Sequence, residues 1–177
     1  MSATMEIDML ECFETEALPR ASELFRSARS LAGSHSDAED AVQECMLRAW
    51  NSFHRFSPGT NIRAWLHKIL LHVIWGRRRK NRRMLFIEDL QIPEPKAAPA
   101  PVIAEDVTDA EILAALRTVP PQFAEVVLLA DVQEFTYKEI QQTLGIPVGT
   151  VMSRLSRGRQ LLRTRLSALE FKTDSAR

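Results

Sequence analysis

Two cysteines, one tyrosine and six glycines in 177 residues rule out several kinds of chemistry at the start. Cys12 and Cys45 have no partners at metal-ligand spacing, so two reduced thiols in a cytoplasmic protein are expected, with no disulfide and no metal. Cys45 falls within an apolar helical pattern and reads as a small core residue. The few glycines never form a phosphate-cradling loop, and no nucleophile stands near a positioned base. No catalytic residue, cofactor or enzymatic activity is therefore expected. His67 and His72 are five residues apart, on different faces of a helix, and make no metal pair. No apolar run approaches the roughly 18–20 residues that span a bilayer. The acidic opening "MSATMEIDMLECFETEALPR" lacks the basic-then-apolar order of a secretory signal.

Net charge is missing too, with 23 basic side chains against 23 acidic ones. Neutrality would ordinarily argue against a polyanionic partner, but the charges are segregated. Arg77, Arg78, Arg79, Lys80, Arg82 and Arg83 crowd into "GRRRKNRR", and Arg154, Arg157, Arg159, Arg163 and Arg165 follow Gly145 with no acid before Leu166. Screening over about 8–10 Å makes the local patch, not the total, what a nearby polyanion feels.

What the chain does have is helical periodicity without a persistent strand pattern, so the expected class is all-α. "IPEPKAAPAPVIAED" carries four prolines and reads as a semi-extended linker. It divides the chain into an N-terminal helical domain (1–86), a linker (87–107) and a C-terminal helical domain (108–177). In the first domain, Ala38, Ala41, Val42, Cys45, Met46, Ala49, Trp50 and Phe53 recur at three- and four-residue spacing. Ser36 with Glu39 reads as the capping box that starts their helix. "FSPGT" is a turn, and Asn61 is the N-cap of a second helix with Ile62, Trp65, Leu66, Ile69, Leu70 and Val73 on its apolar side.

In the second domain Thr136 caps a short helix, Gly145 supplies a tight turn, and a further helix begins near Pro147. Helix, glycine turn, helix is the spacing of a helix-turn-helix. At 100° per residue Val151, Leu155, Gly158 and Leu162 face the core. Ser153, Ser156, Arg157 and Gln160 project oppositely, flanked by Arg154, Arg159 and Arg163. Arginine grips guanine bidentately in the major groove, serine reaches several base edges, and flanking arginines meet phosphates. A merely solvated face would mix in acids at four-residue spacing; none is present.

Three segments together resemble the extracytoplasmic-function group of bacterial RNA polymerase sigma factors. They are "DAEDAVQECMLRAWNSFHRFSPGTNIRAWLHKILLHVIWGRRRKNRR", the proline-rich linker, and "VPPQFAEVVLLADVQEFTYKEIQQTLGIPVGTVMSRLSRGRQLL". The resemblance implies two helical domains that bind core RNA polymerase and read two promoter elements. Asp40, Gln43, Glu44 and Arg48 match the helix that docks on the polymerase clamp. Ser57, Pro58, Gly59, Thr60 and Asn61 match the turn that holds a flipped base of the −10 element, with Arg63, Trp65, Arg77, Arg78 and Arg79 aiding strand opening. Ser153, Arg154, Ser156, Arg157, Arg159 and Gln160 match the helix that reads the −35 element. The linker would thread the channel that later carries RNA, and an anti-sigma factor is the implied regulator. Where such proteins often have alanine in the helix-turn-helix, this chain has Gln141, whose amide needs a partner if buried.

A stand-alone helix-turn-helix regulator is the alternative reading, and it leaves the Asp40/Gln43/Glu44/Arg48 face and the "FSPGTN" turn without a task. A recombinase-like enzyme fails for want of a catalytic constellation. The intact arginine-serine helix argues against a decoy that only titrates an anti-sigma factor.

Overall fold

The computed structural model describes residues 9–57, 59–84 and 108–174. Among them every element is helical. Helical turns over 9–20 lead into α1 (Ala21–Leu31), followed by α2 (His35–Ser52) and α3 (Ile62–Met84). The second half comprises α4 (Asp109–Thr118), α5 (Pro121–Val127), a π-helical turn (Leu128–Val132), α6 (Tyr137–Leu144) and α7 (Val148–Asp174). The linker expected at 87–107, Pro58 of the candidate turn, and the side chains of Arg82 and Arg83 lie outside the described residues.

The start of α2 corrects the sequence reading. Ser34, not Ser36, is the N-cap: its backbone is extended, its Oγ accepts from the Asp37 amide at 3.0 Å, and it donates to the Asp37 carboxylate at 2.7 Å. Both serines have an acid three residues on, and the pair closer to the end of α1 wins. The buried face of α2 is Ala38, Ala41, Cys45 and Ala49, all small, which lets α3 approach closely. Cys45 is the core residue expected; burial pushes its thiol up to about 12. Asn61 caps α3 as expected, its Oδ1 accepting from the Ala64 amide at 3.0 Å.

α3 is apolar nearly all round, burying Ile62, Ala64, Leu66, His67, Leu70, Leu71, Val73 and Ile74, because it packs on α1 and α2 on one side and on α6 on the other. The two halves thus share one continuous core, with Leu24, Leu66 and Leu70 joined to Leu128, Leu129 and Ile140. One arginine from each half meets the C-terminal end of α1, where helix carbonyls lack intrahelical donors. Arg78 donates to the Leu31 carbonyl at 2.5 Å, and Arg117 of α4 donates to the Ala32 carbonyl at 3.0 Å.

The π-helical turn has a definite consequence. Gln133 N bonds Leu128 O at 3.0 Å, Glu134 takes a left-handed φ of 55°, and the chain bends so that Phe135 is buried against α3. Its ring meets His67 edge-on at 5.0 Å and lies 4.1 Å under the Arg63 guanidinium. His67 is wholly buried, with Nδ1 at 2.9 Å from the Arg63 carbonyl and Nε2 at 3.0 Å from Ser27 Oγ; burial pushes its pKa down.

The helix-turn-helix forms as read. Thr136 and Glu139 make a reciprocal capping box, and Gly145 takes a left-handed φ of 67°. Pro147 sits just before α7 rather than inside its first turn, its carbonyl accepting from Val151 N at 3.0 Å. Gln141 is exposed, so its amide needs no protein partner; the buried polar residue is Thr143, which donates to Glu139 O at 2.8 Å. Gly158 is indispensable for packing. A Cβ there would lie 2.6 Å from Val127 Cγ2 and 3.1 Å from the Phe123 carbonyl. Gly158→Ala should therefore destabilise the protein by about 1–3 kcal/mol, the scale of core overpacking. Urea titration of the two proteins checks this, and an unchanged midpoint would show that α5 yields without cost.

Candidate nucleic-acid and polymerase interface

Three surfaces carry the predicted residues. The first is the outer face of α2. Asp40, Gln43 and Arg48 are exposed and Glu44 is half-buried. Glu44 is the hub of this face: Arg48 reaches one carboxylate oxygen at 2.5 Å, and Arg77 of α3 reaches the other at 2.7 and 3.0 Å. These two guanidinia hold the Glu44 carboxyl below its usual range, that of Arg77 foremost. Amid these charges Leu47 is 61% exposed, a feature sequence reasoning missed. It falls between Cys45 and Ala49 but on the opposite side of the helix, which spacing alone could have flagged. An exposed leucine bordered by polar and charged side chains has the apolar-centre, polar-rim arrangement of a contact surface.

The second surface is the turn before α3. Gly59 takes a positive φ of 82°, and Thr60 closes the turn by donating from its amide and its hydroxyl to Ser57 O at 3.1 and 2.7 Å. Ser57, Gly59 and Thr60 are exposed. Gly59, Thr60, Asn61, Ala64, Trp65 and Lys68 line a cleft of about 460 Å³. Trp65 is half-buried, one side packed on Phe53 and Phe56 at 6.0 and 5.3 Å and another bordering this cleft. An aromatic wall beside an amide and an ammonium suits a single unstacked base.

The cleft is shared with the second half of the chain. Gln142 of α6 contributes to its lining, and Asn61 Nδ2 donates to Glu139 Oε1 at 2.9 Å. Glu139 is held ionised below its usual range chiefly by Thr136, whose amide and hydroxyl both donate to it, with Asn61 adding a third bond. Arg63 is likewise engaged, pairing with Glu23 and donating to the Gln133 carbonyl at 2.5 Å.

The arginine triplet ending α3 separates by role. Arg77 serves the α2 carboxylates and Arg78 the α1 carbonyls, its guanidinium also lying 4.9 Å from the Trp75 ring. Of the three only Arg79 is exposed, so Arg79 is the one best placed for a phosphate. Trp75 Nε1 is buried without a hydrogen-bond partner among the described residues, although Glu125 comes near it.

The third surface is α7. Val151, Leu155 and Gly158 are buried, while Ser153, Ser156 and Arg157 are exposed and Gln160 is half-exposed, as the periodicity predicts. One part of the sequence argument is corrected. The flanking arginines do have counter-charges, supplied by α5 and its π-helical extension: Arg154 lies 3.6 Å from Glu125, and Arg159 makes a bidentate pair with Asp131 at 2.6 and 3.0 Å. Burial pushes the Glu125 carboxyl up, with Arg154 opposing it. Arg157, at the centre of the face, has no acid partner among the described residues.

Known proteins match along both halves. The Sigma-70 region 2 model matches residues 20–84, and the Sigma-70 region 4 model matches residues 109–162. The ECF RNA polymerase sigma factor SigE of Mycolicibacterium smegmatis is 38% identical over 151 residues, covering 83% of this chain and 58% of that protein. The chain thus spans little more than half of that relative. The ECF RNA polymerase sigma factor EcfG of Rhodopseudomonas palustris is 34% identical over 145 residues, covering 81% of this chain and 77% of its own. Among solved structures, the sigma factor RpoE from Bartonella quintana, in complex with the anti-sigma factor NepR, superposes with a TM-score of 0.69 at 29% identity. The match covers 88% of this chain and 96% of that one. CnrH, in complex with the cytosolic domain of CnrY, shares the fold with a TM-score of 0.66 at 24% identity. Matched in both its region 2 and its region 4, and through most of the length of EcfG, the chain belongs to the ECF family of RNA polymerase sigma factors.

Proposed function

We propose that this chain directs core RNA polymerase to particular promoters and helps open them, acting in the cytoplasm without catalysis of its own. The observation that carries the reading is two separate nucleic-acid-compatible sites on one chain of this family. One is the cleft beside Asn61 and Trp65, and the other is the exposed Ser153/Ser156/Arg157 face of α7. Residues 1–86 form the −10 and polymerase-binding domain, 87–107 the linker and 108–177 the −35 domain. The Asp40/Gln43/Glu44/Arg48 face, with Leu47 at its centre, docks on the polymerase.

Melting costs stacking and pairing energy, and capture of one unstacked base offsets part of it. Asn61 supplies the amide and Trp65 the aromatic wall, while polymerase performs the polymerisation. The compact arrangement cannot be the one that engages a promoter. Elements about 25 base pairs apart are separated by roughly 85 Å at 3.4 Å per step. A compact chain of this length has a radius of gyration of about 16 Å and is only about 40 Å across. The halves must part, which frees Asn61 from Glu139 and Arg63 from Gln133. An anti-sigma factor that favoured the compact arrangement would keep them together; a relative sharing the fold is seen in complex with an anti-sigma factor.

Asn61→Ala tests the base-capturing role. Upstream duplex binding should persist while open-complex formation slows about tenfold or more, read by permanganate reactivity of thymines in the −10 region. Unchanged reactivity would count against the assignment.

A further inference from the structure

The −35 reading just proposed leaves two exposed apolar side chains of α7 without a task. Met152 is 54% exposed, and Val148, one turn earlier, is 37% exposed. Both lie in the N-terminal half of the helix, the part of a recognition helix that reaches base edges. At 100° per residue Met152 stands 40° from Ser156, on the shoulder of the face formed by Ser153, Ser156 and Arg157. No acid occupies the first turn of α7, and the nearest flanking charges are arginines. An apolar side chain set within a basic, hydroxyl-bearing face fits one feature of the major groove, the 5-methyl group of thymine, the groove's apolar landmark. Methionine suits that contact because its unbranched, polarisable chain adapts to an uneven surface. Gly149 presents no side chain in the same turn, with open space where a Cβ would stand, so the duplex can approach closely.

We propose that Met152 is a specificity-determining residue that selects thymine within the −35 element by contact with its 5-methyl group, Val148 extending the apolar surface. The inference rests on α7 reading the upstream element. It assigns to Arg157 and the serines the hydrogen-bonding part of the readout, and to Met152 a part that hydrogen bonding cannot supply.

Replacing thymine by deoxyuridine removes one methyl and leaves every hydrogen-bonding group in place. The holoenzyme, reconstituted from full-length chain and core polymerase, is titrated with promoter duplexes carrying deoxyuridine singly at each thymine of the upstream element on either strand. The wild-type holoenzyme should lose about fourfold in affinity at one or two positions, the factor expected for one buried methyl. Met152→Ala should bind the unmodified promoter more weakly and show no further loss on substitution. The side chain is exposed, so the variant should fold, which its melting curve checks. Indifference of the wild-type holoenzyme to every methyl would overturn the proposal, and so would an equal loss in Met152→Ala. A holoenzyme with no preference for any upstream duplex sequence would overturn the −35 reading itself, and this proposal with it.

Discussion

Locking the two halves of the protein together should abolish promoter-dependent initiation while leaving the fold intact. Lys68 of α3 and Gln142 of α6 line one cleft from opposite sides of the seam. In a Cys12→Ser background, Lys68→Cys and Gln142→Cys can be bridged by a short, disulfide-containing bis-maleimide. Cys45 stays silent, because burial raises its thiol to about 12 and hides it from the reagent. The bridged protein keeps Asn61 on Glu139 and Phe135 under Arg63, so one duplex cannot be read at both elements. Run-off transcription should fall at least tenfold and recover on reduction of the linker, with the unbridged double variant as control. Full activity of the bridged protein would show that the compact form itself engages promoters. Opening has a cost, since Phe135, 4% exposed, must leave its site and the other side chains of the shared core must part with it. Fully burying such a side chain is worth about 1.5–3 kcal/mol. Burial of the Glu125 carboxyl against α3, which pushes its pKa up, offsets part of this.

Removing the Arg157 side chain should cost about 1–3 kcal/mol at the −35 element, the usual scale for a bidentate base contact. Its neighbours do not share that weight. Arg154 and Arg159 are already paired with Glu125 and Asp131, so their charge is partly met within the protein. Arg157→Ala should lose affinity for the matched promoter and little for one with a scrambled upstream element. Equal loss on both would make Arg157 a phosphate contact and move base reading to the serines and Gln160.

Much of this was legible from sequence, for physical reasons that differ by element. The helix-turn-helix announces itself because Thr136 and Gly145 are each required by local geometry, a cap and a left-handed residue, to which the structure adds Glu139 as the reciprocal acid. The buried face of α7 follows from a 3.6-residue period. The start of α2 was misplaced by two residues because Ser34 and Ser36 offer the same local chemistry, and the choice is made by where α1 ends. The partners of Arg154 and Arg159 were invisible because they lie 28 or more residues earlier, on another helix that no periodicity links to α7. The tasks of Arg77 and Arg78 were hidden likewise. A basic run looks uniform in sequence, yet its members point to different neighbours: the Glu44 carboxylate, the Leu31 carbonyl and solvent. Least legible was the contact of Asn61 with Glu139, 78 residues apart, which joins one candidate reader to the helix that precedes the other.

The measurement that bears most directly on the central claim is run-off transcription by core RNA polymerase across a library of genomic promoters, with and without this chain. The account predicts start sites that appear only on its addition and share upstream and downstream motifs at a fixed spacing. DNA binding by the chain with no new start sites would contradict it, and would point to a regulator that acts without recruiting polymerase.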